Sequence, residues 1–407
     1  MSPSRPTVDL GTGRRSLGQV LDFAWARGPF TASDAMQATA LTRSTTIGAI
    51  DTLVEIGVLE ELPDARAAGE YRAGRPARRF ALAPAFGTVV GMDAGDEHLS
   101  ITVADLAGTT LAHTRTGLRP AQSPAGRRRT IRDQLADTYD SSGATRAALL
   151  ALCVGVAAPV DRAGQSPPHP LGFWERTNPG LIELLADRAP LVEVRNDALL
   201  AASAEGMIGD AVGLRDYIAL LAGARLGAGV VVDGHFLYGK HGGVGETFLF
   251  DDASEAYASR GLATALETHA RDLVATGSVR GPLAALPAED LTAARVLALA
   301  EEGDPGALAV VERTGAGLAR VIGVLGNMFD PERIIVCGGI AESIEPVLAA
   351  ARRRLGPSIL HLPAPELIAS RLGEDIVVRG AVVHALDGAR RISVPRLAEQ
   401  RLRGAGS

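Results

Sequence analysis

The first residues with a recognisable chemical role form a polar turn at the start of a helical pattern. They are Thr42, Arg43, Ser44, Thr45 and Thr46. Hydroxyl and guanidinium groups can bond base edges and phosphates, and the N-terminal residues of a second helix reach the base edges of a major groove first. This turn therefore predicts contact with double-stranded DNA.

The helix that must position this turn is predicted over Arg43–Ile56, with Thr42 as its cap. Its apolar side chains lie on or near one face, and the polar turn is expected on the opposite side. These apolar residues are Ile47, Ile50, Leu53, Val54 and Val58. Earlier helices are predicted at Leu17–Arg27 and Thr31–Ala38, with a break at Thr39–Leu41. This succession indicates a helix–turn–helix.

Two strand-like runs follow the second helix, at Val58–Leu62 and Arg79–Leu82. The loop between them contains Arg72, Gly74, Arg75, Pro76 and Arg78. Such a hairpin can place Arg75 and Arg78 near phosphates or in a minor groove. Short helices and a hairpin also occur in small packing modules, but the arginine-bearing loop favours a winged helix-turn-helix over residues 15–82.

The charge of the chain restricts how it could hold DNA. The 407 residues carry a formal net charge of −6. Residues 1–86 contain ten arginines and nine acidic residues, so their net charge is +1 and that of the remainder is −7. A uniformly basic surface is excluded, and DNA binding must depend on a local patch. The candidate arginines are Arg43, Arg72, Arg75, Arg78 and Arg79.

Segments for export or membrane insertion are not evident in the sequence. No run of 18 apolar residues occurs, and the N-terminus has no signal pattern. These features predict a soluble, cytoplasmic protein. Cys153 and Cys337 are far apart in apolar runs, so we expect buried thiols rather than a disulfide or a metal pair.

Beyond a linker at Pro84–Gly87, strands and helices alternate. The predicted strands are Thr88–Asp93, Leu99–Ala104, Thr109–Thr116, Ala147–Val156, Leu191–Val194, Tyr217–Leu221, Gly229–Val232 and Arg333–Cys337. The predicted helices include Ala125–Tyr139, Leu181–Arg188, Asp197–Glu205 and Ser343–Leu355. This order indicates an α/β body. Its partial repetition would suit two related lobes with a cleft between them.

Five motifs give the chain a resemblance to the ROK family, which includes sugar-responsive repressors and sugar kinases. They are Gly74-Arg75-Pro76, Gly91-Met92-Asp93-Ala94-Gly95, Asn196-Asp197-Ala198, the glycine-rich run from Gly227 to Glu246, and Cys337-Gly338-Gly339-Ile340. The resemblance covers about residues 15 to 390. It implies an actin-like (ribonuclease H-like), two-lobed ATPase/sugar-kinase fold over residues 87–390.

The resemblance implies that Asp197 would be the catalytic base of a kinase. Two other roles remain open: Asp197 could hydrogen-bond a sugar without catalysis, or cap the helix that begins there.

The two phosphate loops that the resemblance identifies argue against a kinase. Asp96, Glu97 and His98 stand where the kinases have small or positively charged residues. Carboxylates close to a triphosphate would repel it. In the second loop, Ala224 and Arg225 replace a threonine and a glycine. Arg225 could attract phosphate or pair with Asp96 or Glu97, and we favour the pairing. No kinase activity is therefore expected.

The family's sugar pocket corresponds here to Asn196, Asp197, Glu246 and Glu255. Amide and carboxylate groups suit vicinal hydroxyls. Leu249 stands where the family has a histidine, and the family's zinc-binding cysteines are absent between the two glutamates. We therefore expect no zinc and no other cofactor. His241 is a possible polar substitute or simply a surface residue.

The sequence thus predicts a DNA-binding transcriptional regulator, most simply a repressor, that recognises operator DNA as a homodimer or homotetramer. Its effector would be a sugar or a sugar derivative. Two alternatives remain: a sugar kinase with a DNA-binding head, and a ligand-independent DNA-binding protein.

Overall fold

A computed structural model describes residues 10–63, 77–119, 122–145, 148–169, 171–223, 225–246, 261–357 and 359–404. The N-terminal part, called the head below, consists of α1 (Leu10–Arg27), β1 (Phe30–Thr31), α2 (Ala32–Thr39), α3 (Arg43–Glu55), β2 (Leu59–Leu62) and β3 (Arg79–Leu82). Its antiparallel sheet has the order β1-β3-β2. The three helices pack on this sheet around a core that includes Leu21, Ile50, Leu53 and Phe80.

The head confirms the predicted helix order with small shifts of the boundaries. The first helix begins at Leu10, seven residues before the predicted start, and α3 ends one residue early at Glu55. Thr31 caps α2 through a reciprocal capping box with Asp34. Ala40, in the left-handed region at φ 55°, ends α2 and starts the turn into α3.

The first lobe of the body follows the head. It contains β4 (Thr88–Ala94), β5 (His98–Asp105), β6 (Thr110–Gly117), α4 (Pro124–Ser141), β7 (Leu149–Val156), α5 (Phe173–Thr177), α6 (Leu181–Leu185) and β8 (Leu191–Asn196). The sheet order is β6-β5-β4-β7-β8. The pairings of β4 with β5 and of β5 with β6 are antiparallel, and the remaining two are parallel.

The second lobe follows α7 (Asp197–Ile208). It contains β9 (Tyr217–Ala222), β10 (Leu226–Val232), β11 (His235–Phe236), α8 (Leu262–Ala275), α9 (Ala293–Glu301), α10 (Pro305–Phe329), β12 (Arg333–Cys337), α11 (Glu345–Arg352) and β13 (Glu366–Ala369). The last helix, α12 (Ile376–Gly404), returns to the first lobe and packs on β4 and β7. The sheet order is β11-β10-β9-β12-β13. Counted from the first strand of each lobe, both sheets have the order third-second-first-fourth-fifth, so the predicted relation between the lobes appears in their topology.

The last helix connects the parts of the molecule. A Cβ added to Gly380 of α12 would lie 1.9 Å from the carbonyl oxygen of Leu200 in α7, and one added to Gly91 in β4 would lie 2.6 Å from the Val382 nitrogen of α12. Glycine at these two positions therefore permits direct contact between backbones. Arg390 of α12 also forms an ion pair at 2.7 Å with Asp22 of α1. α12 thus contacts both α7 and the head.

Two simpler expectations can be compared with the described residues. Cys153 and Cys337 are free and buried, as predicted. Among the described helices, none is long and apolar enough to span a lipid bilayer.

Candidate functional site

The first turn of α3 is the candidate DNA interface. Thr42 has extended backbone geometry, and its hydroxyl accepts a hydrogen bond from the Thr45 nitrogen at 3.3 Å. The Thr45 N–H lies in the first turn, where no helical carbonyl can accept its hydrogen bond, so the Thr42 hydroxyl supplies the acceptor. Thr42, Arg43, Ser44 and Thr45 are all exposed. The cap therefore fixes a solvent-facing polar turn at the end of the helix that approaches DNA first in a helix–turn–helix.

Thr46 does not belong to this surface, and the prediction that it would contact DNA is wrong. Its side chain is 0% exposed, and its hydroxyl donates a hydrogen bond to the Thr42 carbonyl at 2.9 Å. Four residues after the cap, the helical period returns the side chain to the face that packs on the core. The short hydroxyl can be buried there because the preceding turn supplies an acceptor.

Arg78 is exposed but already has partners within the head. Its guanidinium donates to both oxygens of Glu61, at 2.9 and 2.8 Å, and to Asp51 of α3 at 3.1 Å. It thereby ties the base of the hairpin to the helix rather than presenting an isolated cation. Arg75, the other predicted arginine of the wing, lies outside the described residues.

The second candidate site lies in the cleft, at the junction of β8 and α7. Asn196 caps α7: its side-chain oxygen accepts from the Leu199 nitrogen at 3.0 Å, and its amide donates to the Ala158 carbonyl at 3.1 Å. Asp197 is the first helical residue, and its carboxylate accepts from the Ala198 nitrogen at 2.8 Å. The capping role considered for Asp197 therefore belongs to Asn196.

Asp197 is buried and lies near two other carboxylates. Burial, together with the negative charges of Asp93 and Glu246, raises the pKa of Asp197 to about 8. Burial also raises the pKa of Glu246 to about 7, although the positive charge of Arg225 opposes this shift. Near neutral pH the carboxyl groups of Asp197 and Glu246 retain part of their protons, so they can both donate and accept hydrogen bonds. The sequence placed Asp93 only in a phosphate loop, whereas the structure places it close to the predicted sugar residues.

The loop that carries Glu246 depends on two glycines with positive φ. A Cβ on Gly245, at φ 88°, would lie 1.8 Å from the carbonyl oxygen of Ala228 in the second lobe. One on Gly242, at φ 71°, would lie 2.0 Å from that of Val160 in the first lobe. The loop therefore contacts both sides of the cleft. Glu255, the remaining predicted sugar ligand, lies outside the described residues.

The segment predicted as the first phosphate loop is covered by a side chain of the protein itself. The His98 Nε2 atom is hydrogen-bonded to Asp93 at 2.8 Å. A Cβ on Gly95 would lie 2.8 Å from the same imidazole ring, so the ring lies directly over this glycine. His98 thus covers the surface at which the sequence predicted phosphate groups.

Two arginines that the sequence did not single out support this loop. Arg127 of α4 is buried and donates to the carbonyls of Ala94 and Gly95, at 2.7 and 2.5 Å. Burial lowers the pKa of Arg127 to about 10, so it remains charged at neutral pH. Arg176 of α5 pairs with Asp96 at 3.5 Å. No local pattern marked either residue, because each acts on a loop 30 to 80 positions earlier.

The predicted pairing of Arg225 with Asp96 or Glu97 is not what the structure records. Asp96 pairs with Arg176, whereas the guanidinium of Arg225 lies 4.4 Å from the centre of the Phe173 ring. Arg176 lies 5.1 Å from the same ring. Phe173 belongs to the first lobe and Arg225 to the β9–β10 turn of the second. This arginine–aromatic–arginine stack therefore connects the lobes across the cleft. Ala224 lies outside the described residues.

A metal centre was not expected, and the segment on which that expectation depends is largely outside the described ranges. Among the histidines, cysteines and carboxylates that the structure describes, no group of three or more could hold a metal ion.

Comparison with known proteins gives relatives of two kinds. The DNA-binding transcriptional dual regulator NagC of Escherichia coli K12 is 26% identical over 307 residues, which are 73% of this chain and 74% of that protein. A crystal structure of a ROK family transcriptional regulator, described as a homologue of the E. coli Mlc protein, superposes with a TM-score of 0.71 at 20% identity and covers 94% of this chain and 99% of that one. A ROK family glucokinase from Streptomyces griseus superposes with a TM-score of 0.57 at 23% identity, over 74% of this chain and all of that one.

The two structural matches differ in extent as well as in score. The match to the regulator extends over 94% of this chain and so includes the head. The match to the kinase covers 74% of this chain. Both share the actin-like, two-lobed body. The ROK family itself matches residues 89–387, which include nearly all of both lobes and the first part of α12. This chain therefore belongs to the ROK family.

Proposed function

We propose that this protein is a DNA-binding transcriptional regulator, acting as a repressor under the control of a sugar-like effector. The observation that carries the proposal is the capped and exposed first turn of α3, from Thr42 to Thr45. NagC is itself named a DNA-binding regulator, and it is similar to nearly three quarters of this chain. Since the body is acidic, the attraction to DNA must come from the head.

In this proposal Arg43, Ser44 and Thr45 reach base edges or phosphates, and Arg75 grips the backbone from the wing. Arg78 holds the hairpin against α3 through Asp51 and Glu61. A single head with a net charge of +1 would bind weakly, so two heads must act together. A homodimer, or a homotetramer built from dimers, would place two recognition helices about 34–36 Å apart, one helical turn of DNA.

The effector site in this proposal is the cleft around Asn196, Asp197 and Glu246, with Glu255 as a further ligand. Partly protonated carboxyl groups can bond adjacent hydroxyls as donors and as acceptors. A neutral polyol such as a sugar fits this chemistry. Its binding would shift the position of the heads only if one state of the cleft bound it more tightly.

We propose further that the protein is not a kinase. His98 covers Gly95 and bonds Asp93, and Arg176 is paired with Asp96. A nucleotide would have to displace these contacts and then face the carboxylates that they neutralise. The raised pKa of Asp197 would suit a catalytic base, so this rival function needs a direct test.

The test uses the full chain and the DNA upstream of its own gene. We expect retardation of a specific fragment at low salt, and a change in affinity with at least one member of a panel of sugars and sugar phosphates. No retardation of any fragment, with or without sugars, would refute the regulator. ATP consumption that depends on a sugar and is lost in Asp197→Asn would establish the kinase instead. Retardation without any sugar effect or thermal shift would favour a ligand-independent DNA-binding protein.

A further inference from the structure

Gly48 leaves the middle of the candidate recognition helix without a side chain. It lies in the second turn of α3 and is exposed. Since an α-helix turns by about 100° per residue, Gly48 shares a face with Ser44, one turn before it, and with Asp51, one turn after it. Both of these residues are exposed as well. The centre of the solvent-facing side of α3 is therefore bare backbone.

No contact within the described part of the chain requires glycine at this position. The φ angle of Gly48 is not in the left-handed region, and a Cβ added to it would have no other atom within 4 Å. Gly91 and Gly380 differ, because a Cβ there would collide with backbone atoms. Glycine inside a helix is less favourable than alanine, by about two- to fivefold in the folding equilibrium. The head therefore loses stability at Gly48 without a structural gain in the described fold.

The side chains on either side of Gly48 differ in size and charge. Ser44, toward the N-terminus of α3, is small and uncharged, whereas Asp51 and Glu55, toward the C-terminus, are acidic and exposed. Asp51 is paired with Arg78 at 3.1 Å. Carboxylates at this end oppose the approach of phosphates. The N-terminal half of α3, which ends near Gly48, is therefore the part that DNA can approach most closely.

The dimensions of DNA give this bare position a use. The major groove of B-DNA is about 12 Å wide, and a helix with its side chains measures about 10–12 Å across. A helix therefore fills the groove, and a side chain on its inner face holds the backbone away from the base edges. Without a side chain at Gly48, the second turn can approach the bases directly. The short hydroxyl side chains of Ser44 and Thr45 then come within reach of the base edges.

We propose that Gly48 sets the depth at which α3 enters the major groove and thereby determines the specificity of DNA binding. This role rests on the proposed function, because the partner is the operator DNA of that regulator. Contacts with base edges carry sequence information, whereas contacts with phosphates do not. A side chain at position 48 would therefore weaken binding to the operator and leave binding to unrelated DNA nearly unchanged.

The test compares Gly48→Ala with a matched glycine of the head, in the full chain. Gly18 of α1 is also helical, is half-buried, and would have no atom within 4 Å of an added Cβ. All proteins carry Trp174→Phe, so that Trp25 of α1 is the only tryptophan and its fluorescence follows the unfolding of the head in urea. We expect Gly48→Ala and Gly18→Ala each to raise the folding equilibrium constant by about two- to fivefold.

DNA binding then separates the two variants. Fluorescence anisotropy is measured with the fragment that the wild type retards and with a random sequence of the same length. Gly48→Ala should weaken operator binding by about tenfold or more and change binding to the random sequence by no more than about twofold, whereas Gly18→Ala should match the wild type.

Three results would overturn the role of Gly48. They are wild-type operator affinity in Gly48→Ala, a loss that is equal on both DNAs or equal in Gly18→Ala, and a Gly48→Ala head that is less stable than the wild type. A wild type that binds no fragment would instead refute the regulator itself, so the failure of the proposed function and that of this inference are distinguishable.

Discussion

The first turn of α3 and the side of the cleft around Asp93 and Asp96 are both rich in polar groups. In the α3 turn these groups face solvent, whereas in the cleft they bond other side chains of the protein. Arg43, Ser44 and Thr45 face solvent, and no ion pair of Arg43 is found within the described ranges. In the cleft, Asp93 is bonded to His98 and Asp96 to Arg176.

The difference shows how similar side chains can acquire opposite roles. The hydroxyls of Ser44 and Thr45 bond the neighbouring Thr42 and still face solvent, whereas Asp93 and Asp96 would have to lose their contacts with His98 and Arg176 before they met another molecule. The head therefore presents its polar turn to solvent, and this side of the cleft holds its carboxylates in contacts within the protein. The side of the cleft with the predicted sugar residues is intermediate, because burial raises the pKa values of Asp197 and Glu246 and leaves them partly protonated near neutral pH.

The largest expected effect tests the open surface of the head. Arg43→Ala should lower operator affinity by about 10- to 100-fold, since one base or phosphate contact contributes about 1–3 kcal/mol. Arg132→Ala removes the same charge from an exposed position on α4 of the body and should leave affinity unchanged. Fluorescence anisotropy with labelled operator DNA measures both. Equal losses in the two variants would mean that net charge, and not the α3 turn, determines binding.

A second prediction concerns the proton held at the cleft. The pKa of Asp197 is about 8 in the folded chain against 3.8 for the free side chain, so folding becomes less favourable as pH rises through this window. Asp197→Asn has no proton to lose and should be more stable than the wild type by about 1–3 kcal/mol at pH 9. This difference in stability should become smaller toward pH 4, where Asp197 is protonated in the folded wild type.

Urea unfolding at several pH values gives the comparison. The exposed Asp137 on α4 provides a control, since Asp137→Asn should not reproduce the trend. A gain for Asp197→Asn that is the same at pH 5 and pH 9 would contradict the raised pKa of Asp197.

A third prediction separates stability from recognition within the α3 turn. Thr42→Ala removes the N-cap and should destabilise the head by about 1 kcal/mol. Thr45→Ala removes a hydroxyl whose recorded contact is that with Thr42, at 2.8 Å, and should have little effect on stability. Both should weaken operator binding. Thermal unfolding measures the stability of each variant, and fluorescence anisotropy measures its affinity for operator DNA. Wild-type affinity in Thr45→Ala would show that Thr45 does not belong to the DNA interface.

The smallest effect is expected at Arg78, whose partners are in the head itself. Arg78→Ala should lower the melting temperature by no more than a few degrees, because exposed ion pairs contribute little. Operator affinity should fall only a few-fold, and its dependence on salt should keep the wild-type slope. A slope reduced by about one unit would show instead that Arg78 contacts a phosphate in the complex.

Much of the architecture could be predicted because its signals are local. The cap at Thr42, the apolar spacing of α3 and the strands of the first lobe are short-range patterns, and the structure reproduces them within a few residues. The incorrect prediction for Thr46 also came from a local pattern. A threonine in a first turn indicates a polar surface, and only the packing of α3 on the rest of the head shows that this hydroxyl is buried.

Partners distant in the chain could not be predicted. Arg176 and Asp96 are 80 residues apart, and Phe173 meets Arg225 from the other lobe. The expectation that Arg225 would neutralise Asp96 had the correct charges but the wrong arginine. Several arginines satisfy the same electrostatic requirement, and the relative placement of the lobes determines which one is close enough.

The sequence by itself determined the order of head and lobes, the family, and the chemical types present at each candidate site, because these depend on local periodicity and on motifs. Tertiary structure alone decided which of these groups are free to bind. Asp93 acts on Asp197, and His98 covers Gly95, only after β4, β5 and α7 have packed together. Protonation and pairing depend on distances of a few ångströms, and in a folded chain those distances are set by residues far apart in sequence.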